Sequence, residues 1–231
     1  MTVLRSQVLS ISDLDGPAGR LEALLNTGLP DPPLCAVVCH PHPKGGGTMH
    51  NKVVYHAAKA ISGFGVPVLR FNFRGVGLSA GLFDEGKGEQ ADVSAAMDWL
   101  EQRFHLPIVF AGFSFGSYVG LRACCGDVRV KGLIALGLPV AVEQRTYSYD
   151  FLRGCTAPKL FITGAADAFA PPVPQAAILQ MAPEPKQIIS IEGADHFFAG
   201  VPISPEPKLT LMQQAIRSWL VTQFGLREQA P

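Results

Sequence analysis

The sequence has no long apolar run, no excess of charge of either sign and few cysteines. None of its apolar stretches reaches the roughly 18 residues that a membrane-spanning helix needs. The opening stretch, MTVLRSQVLSISD, lacks the apolar segment and the small-residue cleavage site of a secretion signal. We therefore expect neither export nor membrane insertion. Lys plus Arg and Asp plus Glu number 19 each, so the zero net charge gives no reason to expect nucleic acid or an anionic membrane as partner.

The five cysteines are an odd number, and no CxxC pair suggests a zinc site. Most of them lie among apolar residues. We therefore expect buried free thiols rather than a disulfide frame, a pattern typical of the reducing cytoplasm. The five are Cys35, Cys39, Cys124, Cys125 and Cys155.

Hydrophobic residues make up 48% of the 231 residues, which is enough for one substantial core. No repeat, low-complexity tract or long linker interrupts the chain. We therefore expect a single domain over residues 1–231.

Short apolar runs alternate with helical patterns from about residue 34 to the end. The runs are rich in Val, Ile, Leu and Phe and are bracketed by Gly or Pro, as buried strands are. This alternation predicts an α/β fold, a mostly parallel twisted sheet of about eight strands with helices on both faces. Two antiparallel edge strands are predicted first, at 3–11 and 19–27. The buried strands are predicted at 34–39, 66–73, 106–113, 130–137, 158–164 and 186–193, and the helices at about 50–63, 88–104, 115–126, 172–182 and 205–224.

The segment Gly-Phe-Ser-Phe-Gly at 112–116 carries the sharpest chemical signal. It follows the strand predicted at 106–113 and opens a helix, so its serine, Ser114, lies at a tight strand-to-helix turn. The glycines on either side give the strained turn room, and the helix N-terminus favours developing negative charge. We predict that Ser114 is a nucleophile.

A serine hydroxyl needs an adjacent base and an acid that orients the base. His196 follows the last predicted strand and is the expected base, and Asp167 follows the strand before it and is the expected acid. Asp195 is a rival acid, although a residue next to the histidine in an extended loop is better suited to shaping the turn. Glu143 is the second alternative, because some hydrolases place the acid after the preceding strand.

An oxyanion hole requires two backbone N–H donors. The first is expected from Phe115, the residue after the nucleophile, and the second from the loop that begins at His40. Prolines at 41 and 43 in that loop carry no N–H. His42 is therefore the preferred second donor, with Lys44 or Gly45 as alternatives.

Two further patterns suggest cofactors but do not fit them. Four histidines at 40, 42, 50 and 56 have no Asp, Glu or Cys among them, so we expect no metal. The string Gly-Val-Gly-Leu-Ser-Ala at 75–80 matches a dinucleotide fingerprint, yet no helix follows to bind a pyrophosphate. We expect a turn there, a loop-anchoring role for Arg74, and no cofactor.

Several motifs in order resemble a group of small bacterial α/β-hydrolases, similar to dienelactone hydrolases and to short acyl peptidases or esterases. The resemblance covers about 34–200 and implies the α/β-hydrolase fold with a Ser-His-Asp triad on Ser114, His196 and Asp167. Dienelactone hydrolases themselves have Cys where this chain has Ser114, which speaks against dienelactone as substrate. The motifs are HPHP (40–43), GGTMHNKVV (46–54), FNFRGVGLSAG (71–81), GFSFGS (112–117), GAADAFAPP (164–172) and GADHFF (193–198).

The predicted function is hydrolysis of a carboxylic ester or thioester of a small molecule through an acyl-enzyme. Only about twenty residues separate the strands at 130–137 and 158–164, too few for a large cap, so we expect an open site for short acyl chains. Apolar walls are expected from Phe113, Phe197 and Phe198. Acyl transfer, amide or peptide cleavage on the same triad, and a non-catalytic binding protein are the alternatives. We expect a monomer or a small homo-oligomer.

Overall fold

An eight-stranded sheet forms the centre of the molecule in the computed structural model, which describes residues 6–142 and 145–229. The spatial order of its strands is β1-β2-β4-β3-β5-β6-β7-β8. Strand β2 runs antiparallel to both β1 and β4, and all other neighbours are parallel. The strands are β1 (Val8–Ile11), β2 (Ala23–Asn26), β3 (Cys35–Cys39), β4 (Val68–Phe71), β5 (Ile108–Phe113), β6 (Val130–Leu136), β7 (Lys159–Gly164) and β8 (Lys186–Ile191).

Helices cover both faces of this sheet. On one face α1 packs against α5, and on the other α2 packs against α3, with α4 beyond them. Alternate residues of a strand point to opposite faces of the sheet. Phe110 packs in the core under α2 and α3, whereas Val109 and Ala111 pack in the core under α1 and α5. Among the described residues no helix is both long and apolar enough to cross a membrane. The helices are α1 (Lys52–Ser62), α2 (Lys87–Phe104), α3 (Phe115–Cys124), α4 (Pro172–Met181) and α5 (Leu209–Phe224).

This architecture confirms the predicted α/β fold and the antiparallel pairing of the first two strands, although only β1 of the two lies at an edge of the sheet. The prediction of a buried strand at 186–193 is wrong: β8 forms the other edge, where no further described strand covers it, and most of its residues are partly or fully exposed. Another difference is the start of the last helix, which begins at Leu209 rather than near 205. Proline explains this later start, because the residue before a proline is disfavoured in helical conformation and Glu206 precedes Pro207.

In its described part, the connection from β6 to β7 carries no large cap. This part contains a short antiparallel pair, Ala141–Val142 with Arg145–Thr146, and one 3₁₀-helix, Asp150–Gly154. Elements of this size leave the carboxyl ends of the central strands open, as the length of the connection predicts.

A disulfide contradicts the prediction of five free thiols. Cys125, just after α3, is bonded to Cys155, just after the 3₁₀-helix, with Cα atoms 5.0 Å apart. The two residues are 30 positions apart, and only the packing of the β6–β7 connection against α3 brings them together. Cys35, Cys39 and Cys124 are free and buried, as predicted.

The loop after β4 is a turn anchored to α2. Arg74 Nη2 lies 2.7 Å from Asp92 Oδ1, and the Asp92 side chain is fully buried. Gly75 and Gly77 both have positive φ, 72° and 57°, and α2 begins only at Lys87. The predicted turn and the loop-anchoring arginine are therefore both found.

Candidate active site

Ser114 lies at a sharp turn between β5 and α3. Its backbone has φ 54° and ψ −122°, a conformation that is strained for any residue with a side chain. A Cβ on Gly112 would lie 2.6 Å from the Gly116 carbonyl oxygen, and one on Gly116 would collide with the carbonyl oxygen of His40. Both flanking glycines are thus required for the close approach that exposes the serine, as the motif predicts.

A chain of two hydrogen bonds joins Ser114 to His196 and Asp167. His196 Nε2 lies 3.0 Å from Ser114 Oγ, and His196 Nδ1 lies 2.8 Å from Asp167 Oδ2. Since an ionised carboxylate only accepts, Nδ1 carries a proton and Nε2 is free to accept from the serine hydroxyl. The three residues follow β5, β8 and β7, whose carboxyl ends meet at one edge of the sheet. The structure therefore brings the three predicted residues together.

Asp167, rather than Asp195, is positioned to orient the histidine. Asp167 is 5% exposed, and its second oxygen, Oδ1, accepts a hydrogen bond of 2.8 Å from the N–H of Phe169. Asp195 instead accepts from the N–H groups of Phe197 and Ala199, at 2.9 and 2.8 Å, and so shapes the turn. The other alternative acid, Glu143, lies outside the described residues.

Three phenylalanine rings surround the imidazole of His196. The ring centroids of Phe113, Phe169 and Phe197 lie 5.0, 4.6 and 5.2 Å from that of His196. Their contacts leave the side chain of His196 only 6% exposed. The rings hold the histidine in place and keep water from its faces.

Of the three predicted apolar walls, the structure places only Phe197 at the cleft. Phe197 is 50% exposed and borders the space above Ser114. Phe113 and Phe198 have no exposed surface, so the prediction that they contact substrate is wrong. Phe113 supports His196 from below, and Phe198 packs in the core under α1 and α5.

The two predicted oxyanion donors have N–H groups without an acceptor among the described residues. They belong to Phe115, the first residue of α3, and to His42, on the loop after β3. The His42 ring packs between Phe83 and Phe115, with centroids at 4.9 and 4.8 Å. Its Nδ1 accepts from the N–H of Lys44 at 3.1 Å, which leaves the ring proton on Nε2.

Burial determines the charge states of the two histidines in the loop after β3, His40 and His42. Burial first, and then the cations Arg145 and Lys44, lower the pKa of His42 to about 4. Burial also lowers the pKa of His40 to about 4. His40 Nε2 accepts from the N–H of Phe73 at 3.0 Å, and its Nδ1 donates to the Pro41 carbonyl at 2.7 Å. Both rings are therefore neutral near pH 7, and His40 ties two loops together.

A cleft of about 320 Å³ lies above Ser114, and we call it the Ser114 cleft. Three of its lining residues, Val142, Arg145 and Tyr147, lie on the β6–β7 connection and were not predicted, because no sequence motif marks them. A larger pocket of about 500 Å³ lies between α4 and β8, but neither Ser114 nor His196 lines it. The Ser114 cleft is lined by His42, Lys44, Gly45, Ser114, Val142, Arg145, Tyr147, Phe169, His196 and Phe197.

A family model described as "Alpha/beta hydrolase domain" matches residues 35–222, a range that includes all three residues of the hydrogen-bonded chain. An uncharacterized protein of Rickettsia prowazekii is 34% identical over 216 residues, which are 90% of this chain and 87% of that protein.

Two solved structures are similar over nearly the whole chain. An alpha-beta serine hydrolase homologue from Coxiella burnetii is 32% identical with a TM-score of 0.79, covering 95% of this chain and 100% of that one. A serine hydrolase without a lid from Xanthomonas campestris is 34% identical with a TM-score of 0.80, covering 100% and 99%.

Proposed function

This chain belongs to the α/β-hydrolase family and is a carboxylesterase-like serine hydrolase, and from that premise we propose that it cleaves short-acyl carboxylic esters or thioesters. The observation that carries the proposal is the hydrogen-bonded chain from Ser114 through His196 to Asp167, with links of 3.0 and 2.8 Å. The proposed unit of function is one domain over residues 1–231, since both helical layers pack on the same sheet.

In the first half of the proposed reaction, Ser114 Oγ attacks the carbonyl carbon while His196 Nε2 takes its proton. Asp167 holds the imidazole in the required tautomer and stabilises its charged form. The N–H groups of Phe115 and His42 donate to the oxyanion that develops on the carbonyl oxygen. When the tetrahedral intermediate collapses, His196 gives the proton to the departing alcohol or thiol, and the acyl group stays on Ser114.

In the second half, water replaces the departed group. His196 takes a proton from this water, and the resulting hydroxide attacks the acyl carbon. Collapse returns the proton to Ser114 and releases the free acid. One water is consumed, and no oxidant or cofactor is required.

The size of the Ser114 cleft supports a short acyl chain. Its volume of about 320 Å³ is at the lower end of the range for small-molecule sites, roughly 300–1,000 Å³. Phe169, Phe197 and Tyr147 supply apolar surface, and no large cap covers the opening in the described part of the β6–β7 connection.

The proposal is tested with p-nitrophenyl acetate, butyrate and longer acyl esters, using wild type and Ser114→Ala. We expect hydrolysis that declines as the acyl chain lengthens and that falls by at least about a thousandfold in Ser114→Ala. A fluorophosphonate probe should label wild type and not the variant. Equal rates for the two proteins would refute the role of Ser114, and labelling without ester hydrolysis would favour acyl transfer instead.

A further inference from the structure

Two cations line the Ser114 cleft, and the proposed mechanism uses neither side chain. Lys44 lies on a short 3₁₀-helix after β3, Pro43–Gly45, and Arg145 lies on the β6–β7 connection. Both are exposed at the mouth of the cleft, and both line the same space as Ser114 and His196. Both also act on His42, whose pKa they help to lower. Two separate segments therefore bring positive charge to one mouth.

No carboxylate neutralises this charge within the part of the chain that the structure describes. None of the residues lining the cleft is acidic, because Asp167 lies behind the imidazole of His196. Neither Lys44 nor Arg145 forms an ion pair with a described residue. The chain as a whole has zero formal charge, so among the described residues the mouth of the cleft is a local concentration of positive charge.

The surroundings of the two cations favour a defined position for each. Lys44 Nζ lies 4.8 Å from the centroid of the Phe83 ring, a cation–π distance that limits where the ammonium can go. Arg145 lies beside Tyr147, whose pKa is raised by burial while the guanidinium opposes that rise. Tyr147 also lines the cleft.

We propose that the Ser114 cleft selects acyl esters that carry a carboxylate, which Arg145 and Lys44 bind while Ser114 attacks the ester carbonyl. A guanidinium matches a carboxylate with two parallel hydrogen bonds, and a lysine adds a point charge. Phe169, Phe197 and Val142 then contact the apolar part of the substrate. The carboxylate takes no part in bond exchange, so the proposed reaction is unchanged. This inference rests on the proposed function and narrows its substrate class.

Two matched pairs of esters test the proposal and locate the carboxylate. In the acyl pair, mono-p-nitrophenyl glutarate is compared with its neutral methyl ester. In the leaving-group pair, 4-acetoxybenzoate is compared with its neutral methyl ester. We expect one of the two anionic esters to have a kcat/KM about tenfold above its neutral partner, the scale of a charge-assisted contact in a partly exposed site. The preference should shrink as salt is added.

Variants assign the preference to the two side chains. In Arg145→Gln and Lys44→Gln the ratio of anionic to neutral kcat/KM should fall severalfold towards one. Arg153→Gln is the matched control, because Arg153 is an exposed cation on the same connection that does not line the cleft. This control should keep the wild-type ratio.

An inhibition measurement on wild type tests the proposal independently of the variants. Glutarate should inhibit hydrolysis of p-nitrophenyl butyrate by wild type more strongly than neutral glutaramide does. Equal kcat/KM within both ester pairs, together with equal inhibition by glutarate and glutaramide, would overturn this inference and leave the proposed function standing. Absence of hydrolysis of every ester and of fluorophosphonate labelling would instead overturn the proposed function.

Discussion

Gly137 lies directly against the imidazole of His196. A Cβ at position 137 would lie 3.1 Å from His196 Cε1 and 3.0 Å from Phe113 Cε2. The backbone of Gly137 has φ 52°, just after the end of β6. The absence of a side chain at Gly137 thus leaves room for the imidazole in the position where its Nε2 lies 3.0 Å from Ser114 Oγ.

We predict that Gly137→Ala lowers kcat/KM by about tenfold to a hundredfold, because a small displacement of a catalytic group is costly. Gly225→Ala is the control, since Gly225 has a similar φ of 64° but nothing within 4 Å of an added Cβ. Both variants should lose about 1 kcal/mol of unfolding free energy through backbone strain. Steady-state kinetics and urea unfolding measure the two effects. Equal loss of activity in both variants would argue against the contact with His196.

Removing the charge of Asp167 and removing that of Asp195 should have different effects on the rate. Asp167→Asn is expected to lower kcat by about a thousandfold or more, because an amide does not hold the imidazole in the required tautomer. Asp195→Asn should stay within severalfold of wild type, since its amide oxygen can still accept from the N–H groups of Phe197 and Ala199. Rates with p-nitrophenyl butyrate measure both. A larger loss in Asp195→Asn would reverse the assignment of the acid.

Local signals in the sequence are sufficient to predict the three residues that form the hydrogen-bonded chain. Ser114 has its glycines two positions away on each side, and Asp167 and His196 directly follow apolar strands. Parallel strands end at one edge of the sheet, so position after a strand already implies proximity. Apolar composition likewise predicts the central strands, because most residues of β3, β5 and β6 are apolar and buried.

Features that depend on packing between distant segments are not predictable in this way. Arg145 and Tyr147 lie in no motif, and only the path of the β6–β7 connection brings them over Ser114. The disulfide between Cys125 and Cys155 depends on the same connection. Phe198 shows another limit, because nothing in its local pattern distinguishes a buried ring from one that lines the cleft.

Phe197 and Phe198 are adjacent in sequence but should have opposite effects when truncated. Phe198→Ala is expected to lower the unfolding free energy by about 3–5 kcal/mol, because its ring is fully buried in the core. Phe197→Ala should change stability by less than about 1 kcal/mol, since half of its surface is exposed, and should raise KM for butyrate esters. Urea unfolding and steady-state kinetics separate the two effects. A raised KM in a stable Phe198→Ala would contradict the corrected assignment of the cleft walls.

The buried ring of His40 should make stability depend on pH. Its pKa is about 4 in the folded protein because burial disfavours the charged form, against an ordinary value of 6.5. Between these values the unfolded chain binds more protons than the folded one, so stability rises with pH from 4 to 6.5 and is lost as pH falls through that window. The loss attributable to this ring is at most about 3 kcal/mol.

The pKa of His42 is shifted in the same direction, so wild type must be compared with His40→Gln, which loses the titration of His40 alone. Although this variant should be less stable at pH 7, because its hydrogen bonds to Phe73 and Pro41 are disturbed, its unfolding free energy should fall less steeply below pH 6.5. Urea unfolding at several pH values measures the slope, and parallel slopes in the two proteins would show that His40 titrates normally in the folded state.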